Sequence, residues 1–417
     1  MAKKNIRIVA VIAVLILLVF GGFVIRKPLS TSMISKGTAF FDQKEYAKAF
    51  DQFKKAAFLN KKSVAALNGL TKSLFYLNRY DEALNYANTS LKIDSVSSDA
   101  KFYRGLIEIK QQKPQLAVAD FNAVLKSDST NAQAWYHRGL AKAALLDFTG
   151  SVADYRKAMK LDKDNIEAYL KSVEAKSALD DFKGAIADYD NLLNVDLNNK
   201  EAYASRGYLK LNINDFDGAL SDFNHALELG PGNLEVIFNR GSAYARKGMA
   251  DAALKDFSQC INSKFKVTES LNNRSIIYLG QQNANAALKD LKELQKLKPD
   301  DASVYLSLGV VSSMKQDYNG SIPLYDKAIA LNPQYTEAWF NRGVSKGNLG
   351  RHQEAVVDYT KAIELNKNYA VAYYLRAVSE INLNKTTEGC DDLQRAKSLG
   401  YKAADELIAI HCASTKQ

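Results

Sequence analysis

The chain has 417 residues, 47% of them hydrophobic and 24% charged, with three cysteines and a formal net charge of +10. Length alone allows two or three globular domains. Five positive charges with no acid lie in residues 1–29, leaving 51 basic against 46 acidic residues. That balance is too even for the coherent basic face of a nucleic-acid binder, and no nucleic-acid partner is expected.

In chain order, residues 1–7 form a short basic tail with Lys3, Lys4 and Arg7. Ile8 to Ile25 is an uninterrupted apolar run of 18 residues. As a helix it would span about 27 Å, close to the hydrocarbon thickness of a bilayer. A cleaved leader would have a shorter apolar region and an A-x-A-like site; none precedes Met33, and no Cys follows the run as in a lipoprotein. The run therefore reads as an uncleaved transmembrane anchor over 8–25, with a juxtamembrane linker at 26–29. Lys3, Lys4 and Arg7 against Arg26 and Lys27 weakly favour the amino end in the cytoplasm. The expected localisation is a single-pass membrane protein with its bulk extracytoplasmic, on the periplasmic side.

From Ser30 a 34-residue pattern recurs eleven times, through Lys402. Position 8 of the pattern is small, as in Gly37, Gly105, Gly139, Gly207, Gly241, Gly309 and Gly343. Position 20 is Ala or Ser in ten repeats, from Ala49 to Ala355, and Gly389 in the last. A fixed period of this length signals stacked supersecondary units and not an enzyme core. In repeat ten, Trp339, Arg342, Gly343 and Lys346 lie on one helical stripe, and Gly350 marks where that helix stops. Ala355, Val356, Tyr359, Ala362 and Ile363 form a second stripe, closed by Asn366. Two such helices with a short turn are antiparallel neighbours, crossing where Gly343 and Ala355 are small. Position 21 is apolar in every repeat, from Phe50 to Cys390, so the second helix buries a face on the following repeat as well. Ala403 to His411 reads as a helix covering the end of the stack.

These motifs resemble the tetratricopeptide repeat (TPR) family over nearly all of the chain beyond residue 30. The family's opening is similar to WYHRG at Trp135, WFNRG at Trp339 and AYASRG around Tyr203, and its closing proline to Pro231, Pro299 and Pro333. The resemblance implies an all-α fold: a right-handed α-solenoid superhelix of eleven TPR helical hairpins over 30–402. A capping helix and tail occupy 403–417, and one N-terminal transmembrane helix precedes the repeats. It also implies a concave groove, lined by the first helix of each repeat, that holds an extended segment of a protein or peptide partner. The paired Lys and Asn with which chaperone-binding members clamp a terminal carboxylate are not recognised at positions 5 and 9.

Position 7 is Arg in seven repeats, and each has Asp at position 23. The pairs are Arg104 with Asp120, Arg138 with Asp154, Arg206 with Asp222, Arg240 with Asp256, Arg274 with Asp290, Arg342 with Asp358 and Arg376 with Asp392. They read as structural ion pairs between the helices of a hairpin. An arginine ladder for an anionic ligand is the competing reading. Helical geometry turns positions 2, 5, 9 and 12 away from the second helix. Position 5 carries Phe102, Tyr136, Phe238, Phe340 and Tyr374, and position 6 carries Asn239, Asn273 and Asn341. Rings with amides on an open face suit recognition of a peptide backbone. The alternative is that the rings only wedge between adjacent first helices. Glu167, Glu201, Glu235, Glu269 and Glu337 share position 2, either as a groove row or as residues that favour a helix start.

Cys260 occupies a packing position, whereas Cys390 lies on the outer face of the last repeat and Cys412 ends the helix that covers it. A disulfide between Cys390 and Cys412 would staple the cap if the repeats lie in an oxidising compartment. The closing stretch resembles the ends of some bacterial exported repeat proteins. The G-x-S-x-G at Gly343 to Gly347 falls inside a helix and cannot form a nucleophile elbow. His137, His225, His352 and His411 share no metal-ligand spacing. No catalytic residue, metal or cofactor is expected. The reading is a membrane-anchored scaffold or adaptor, in envelope assembly or export. A cytosol-facing receptor of the import-receptor type and a groove for carbohydrate or another small ligand are the alternatives.

Overall fold

The computed structural model describes residues 26–412. The expected anchor at 8–25, the basic tail before it and the last five residues lie outside the described residues. Every regular element among the described residues is a helix, and none is long and apolar enough to cross a membrane.

The chain divides into two compact units, Met1–Ile213 and Asn214–Gln417. In the first, a helix through 26–42 pairs with Tyr46–Leu59. The hairpins Val64–Tyr76 with Tyr80–Ile93, Ser98–Lys110 with Pro114–Ser127, Ala132–Ala144 with Phe148–Leu161 and Ile166–Ser177 with Phe182–Val195 follow, and Lys200–Asn212 ends the unit. The second opens on Phe216–Leu229 and continues with Leu234–Arg246 and Ala250–Asn262, Val267–Gly280 and Ala284–Leu297, and Ala302–Met314 and Tyr318–Leu331. Thr336–Asn348 with His352–Leu365, Ala370–Asn382 with Thr386–Ser398, and Ala404–His411 complete it. Within each unit a helix packs chiefly on the helices before and after it, so the hairpins stack in chain order.

Local chemistry explains the register. Ser63, Asn131, Asn165, Asn199 and Asn233 cap first helices by accepting a bond from the N–H three residues on. Asp147, Asp181, Asp215 and Asp317 do the same for second helices. The turn inside the hairpin closes on one left-handed residue at position 15. Glycine supplies it at Gly248 and Gly350, but Lys44, Asn78, Gln112, Leu146, Asp180, Asn214, Gln282, Gln316 and Asn384 adopt the same conformation, with φ of 56° to 63°. The next N–H then returns to the carbonyl of position 11, as Arg79 to Leu74 and Arg351 to Lys346 at 2.9 Å. This Schellman-type closure satisfies the helix end, so most repeats manage the turn without glycine.

The core runs along the second helices. Phe121 and Tyr155 in the first unit, and Phe223, Phe257 and Tyr325 in the second, are completely buried at position 24. Phe121, Tyr155, Phe257 and Tyr325 each fill the space left by a glycine at position 8. A Cβ built on Gly139 would stand 2.6 Å from Tyr155 Cε1, and one on Gly343 would stand 2.8 Å from Tyr359 Cε1. Gly139→Val should therefore overpack the crossing and lower stability by about 1–3 kcal/mol. Urea unfolding followed by circular dichroism measures this; an unchanged midpoint would refute the steric account.

Candidate functional site

The arginines at position 7 reach further than one hairpin. In Arg104, Arg138, Arg240, Arg274, Arg342 and Arg376, Nε and Nη2 donate two parallel bonds of 2.6–2.9 Å to Asp120, Asp154, Asp256, Asp290, Asp358 and Asp392. The remaining Nη1 donates to the second helix of the preceding repeat. Its acceptors include Asn88 for Arg104, Asn122 for Arg138, Asn224 for Arg240 and Ser258 for Arg274, at 2.6–3.0 Å. Arg206 makes this backward bond to Asp190 at 2.6 Å inside the first unit; Asp222 is buried in the second. The guanidinium thus ties three helices together, and residues at position 25 that the sequence did not single out supply the third contact.

Repeats without the arginine meet the same requirement differently. Ser172 Oγ and Lys176 Nζ together hold Asp188, at 2.5 and 2.6 Å. In repeat nine both partners are apolar, and Leu308 packs with Leu324. Lys142 and Lys346, at position 11, add a second cation to Asp154 and Asp358. Glu108 and Glu380 occupy that same position, next to Asp120 and Asp392. Both are buried, and the Oε2 atom of each has no hydrogen-bond partner among the described residues. Burial first, then the neighbouring aspartate charge, push each carboxyl up to about 7 despite the arginine nearby.

In the first unit the face of the first helices holds a cavity of about 510 Å³ spanning repeats one to four. Phe41, Lys72, Asp99, Phe102, Tyr103 and Gln133 are among its walls. They stand at positions 12, 9, 2, 5, 6 and 2, so they largely follow the stripe expected to turn outward. Lys72 Nζ sits 4.0 Å from the Phe41 ring centroid, and Asp99 lines the same cavity. Rings, one cation and one carboxylate therefore share a concave surface. Of the eight groove residues expected from the sequence, only Phe102 lines this cavity. Its ring is half-buried, 5.8 Å edge-on from Phe121 and 5.9 Å from His137 on the next first helix. His137 stacks on Phe121, and burial lowers its pKa to about 4, so the imidazole is neutral near pH 7. Tyr136 packs likewise on Tyr155, with 6.1 Å between centroids.

In the second unit Phe238 meets Phe257 at 5.7 Å, Phe340 meets Tyr359 at 6.0 Å and Tyr369 at 4.8 Å, and Tyr374 meets Tyr401 at 4.9 Å. The rings expected to be solvent-facing are thus half-buried, because each leans on its own second helix or the start of the next element. Asn239, Asn273 and Asn341 lie beside this row, half-exposed, with no side-chain hydrogen bond to any described residue. Glu167, Glu201, Glu235, Glu269 and Glu337 all stand in first turns of helices, where Glu235 also meets Lys266 at 2.6 Å.

Cys390 and Cys412 are joined by a disulfide, with 5.7 Å between their Cα atoms, and both pack with Leu393, Ala396 and Ala404. Cys260 is a free, buried thiol whose pKa burial pushes up to about 11, which leaves it unreactive. Among the described residues no group of three or more His, Cys, Asp or Glu is arranged to hold a metal ion.

A family model described as tetratricopeptide repeat matches residues 68–132, 108–166, 205–259 and 273–336, more than half of the chain, and a second of the same description matches 336–369. The fold is similar to a tetratricopeptide repeat protein from Parabacteroides merdae, at 19% identity and a TM-score of 0.48, over 59% of this chain and 98% of that one. It is also similar to YrrB, described as a TPR protein with an unusual peptide-binding site, at 18% identity and a TM-score of 0.40, over 44% and 95%. For pilF of Pseudomonas aeruginosa the values are 17% and 0.43, over 51% and 96%. No curated protein matches the sequence.

Two measurements test the clamp and its carboxyl neighbour. A double-mutant cycle on Arg240→Met and Asp256→Leu should show a coupling of about 1–3 kcal/mol, since each single change strands a buried partner; zero coupling would leave the pair without a structural role. Glu108 and Glu380 are protonated in the folded state at pH values where the unfolded chain ionises them. Their contribution is complete below the ordinary glutamate value and is lost as pH rises through about 7. Urea midpoints should fall over that window, and Glu108→Gln with Glu380→Gln should flatten the fall.

Proposed function

The chain belongs to the tetratricopeptide repeat family, whose members mediate protein–protein interactions, and on that premise we propose that it is a membrane-anchored scaffold for an extended protein segment. The observation that carries this reading is the cavity of about 510 Å³ across four successive first helices, whose walls combine rings with Lys72 and Asp99. An extended peptide needs apolar area for alternate side chains and polar groups for its backbone and charges. The unpartnered amides of Asn239, Asn273 and Asn341 offer the same chemistry in the second unit. No single repeat could present such a surface, because its shape comes from stacking.

Anchoring is argued from the apolar run Ile8 to Ile25, long enough to span the hydrocarbon layer. An extracytoplasmic position of the repeats, in the cell envelope, draws support from the Cys390–Cys412 disulfide, since such bonds persist in oxidising compartments. That is why this reading stands ahead of a cytosol-facing receptor. The partner is a protein or peptide, in assembly or export.

Site-specific photocrosslinking in intact cells tests the groove. A crosslinker at Phe102 should capture a protein partner, and Lys72→Glu should abolish capture while leaving the helical signal intact. Adducts that are carbohydrate or small molecule, or capture equal to that from exposed Leu146, would overturn the reading.

A further inference from the structure

The first repeat carries a surface that its packing does not explain. Ser30 Oγ donates to the Ala56 carbonyl at 3.0 Å, so the start of the first described helix and the end of Tyr46–Leu59 stand at one end of the hairpin. Arg26 and Lys27 are exposed at this end, and so are Lys61 and Lys62 in the turn that follows. Phe58, in the last turn of Tyr46–Leu59, has 80% of its surface exposed, more than any other large apolar side chain among the described residues. Lys54 and Lys55 lie beside it. Of the acids, Asp51 shares this surface with Lys54 and Lys55, whereas Asp42 and Glu45 sit at the opposite end of the hairpin, where Lys48 meets Glu45 at 2.7 Å. Residues 26–62 hold nine basic and three acidic residues, and the hairpin is polarised with its basic end toward residue 26.

The other repeats show that the fold does not require this ring. Phe58 stands at position 29, which is polar in nine of the other ten repeats and Ala330 in the remaining one. An exposed aromatic framed by lysines matches the interfacial zone of a bilayer: the ring enters among the headgroups while long cationic stems reach the phosphates.

We propose that this end of repeat one docks on a bilayer containing anionic lipid, with Phe58 entering the headgroup layer and Arg26, Lys27, Lys54, Lys55, Lys61 and Lys62 facing its phosphates. The placement rests on the anchored reading, because the apolar run ends one residue before Arg26. Docking holds the first repeat against the membrane surface and sets how the first-helix face is presented to a partner.

The test uses the full chain reconstituted into vesicles of phosphatidylcholine alone or phosphatidylcholine with phosphatidylglycerol. Flotation with pure phosphatidylcholine reports the anchor. Emission of a Phe58→Trp variant, corrected for Trp135 and Trp339 and quenched by spin-labelled lipid, reports the docking. Quenching should be severalfold stronger with phosphatidylglycerol, should weaken with added salt, and should vanish when Lys54, Lys55, Lys61 and Lys62 are all changed to Glu. Flotation without charge-dependent quenching would overturn the docking and spare the anchor. Flotation only with phosphatidylglycerol, lost in the four-Glu variant, would overturn the anchor and spare the docking; no flotation with either vesicle would overturn both.

Discussion

A planar cation at position 7 of seven repeats sets the spacing that the packing around it obeys. The guanidinium at position 7 is a rigid fork of donors, and it meets the aspartate of its own second helix with two bonds while a third reaches back one repeat. Apolar contacts alone would let stacked helices slide, whereas three directed bonds allow little freedom. The aspartates are almost fully buried, so each carboxylate depends on its cation. Repeat five divides the cation's task between Ser172 and Lys176, and repeat nine removes both charges in favour of Leu308 and Leu324. Both solutions respect the same physical rule: a buried charge is matched or it is absent.

That commitment of one helical face determines what the other can do. Because positions 4, 7, 8 and 11 are spent on the second helix, positions 2, 5, 9 and 12 are the ones left to line an open surface. Phe102 touches Phe121 and His137 yet also forms part of the cavity wall. A ring already held by neighbours loses little freedom on meeting a ligand, which suits it to recognition. At Phe102, packing between helices and lining of the cavity coincide in one ring.

The eleven-fold pattern made the helices, their order and the crossing at the small residues Gly343 and Ala355 legible in the sequence, since each rests on local spacing repeated many times. The matching of arginine with aspartate across 16 residues was visible for the same reason. The backward bond to Asn88, Asn224 or Ser258 was not, because position 25 varies in residue type and carries an acceptor only where the next repeat has the arginine or at the end of the array, being Lys54, Arg156 and Lys292 elsewhere. Nor was the left-handed residue at position 15 fully visible. Gly248 and Gly350 announce it, but Leu146 does not, and only the closing hydrogen bonds reveal that the same turn is made.

The sequence by itself determined the repeat length, the hairpin unit, the family and the apolar segment that precedes the repeats, because these depend on periodicity and composition along one chain. Tertiary structure decided which outward positions form a cavity and which aromatic rings stay half-covered. It also decided that the position held by Lys142 and Lys346 becomes, in Glu108 and Glu380, a buried carboxyl beside an aspartate. The physical reason is that burial and electrostatic environment are properties of neighbours brought together across the stack, and a one-dimensional pattern names the positions without saying what stands opposite them.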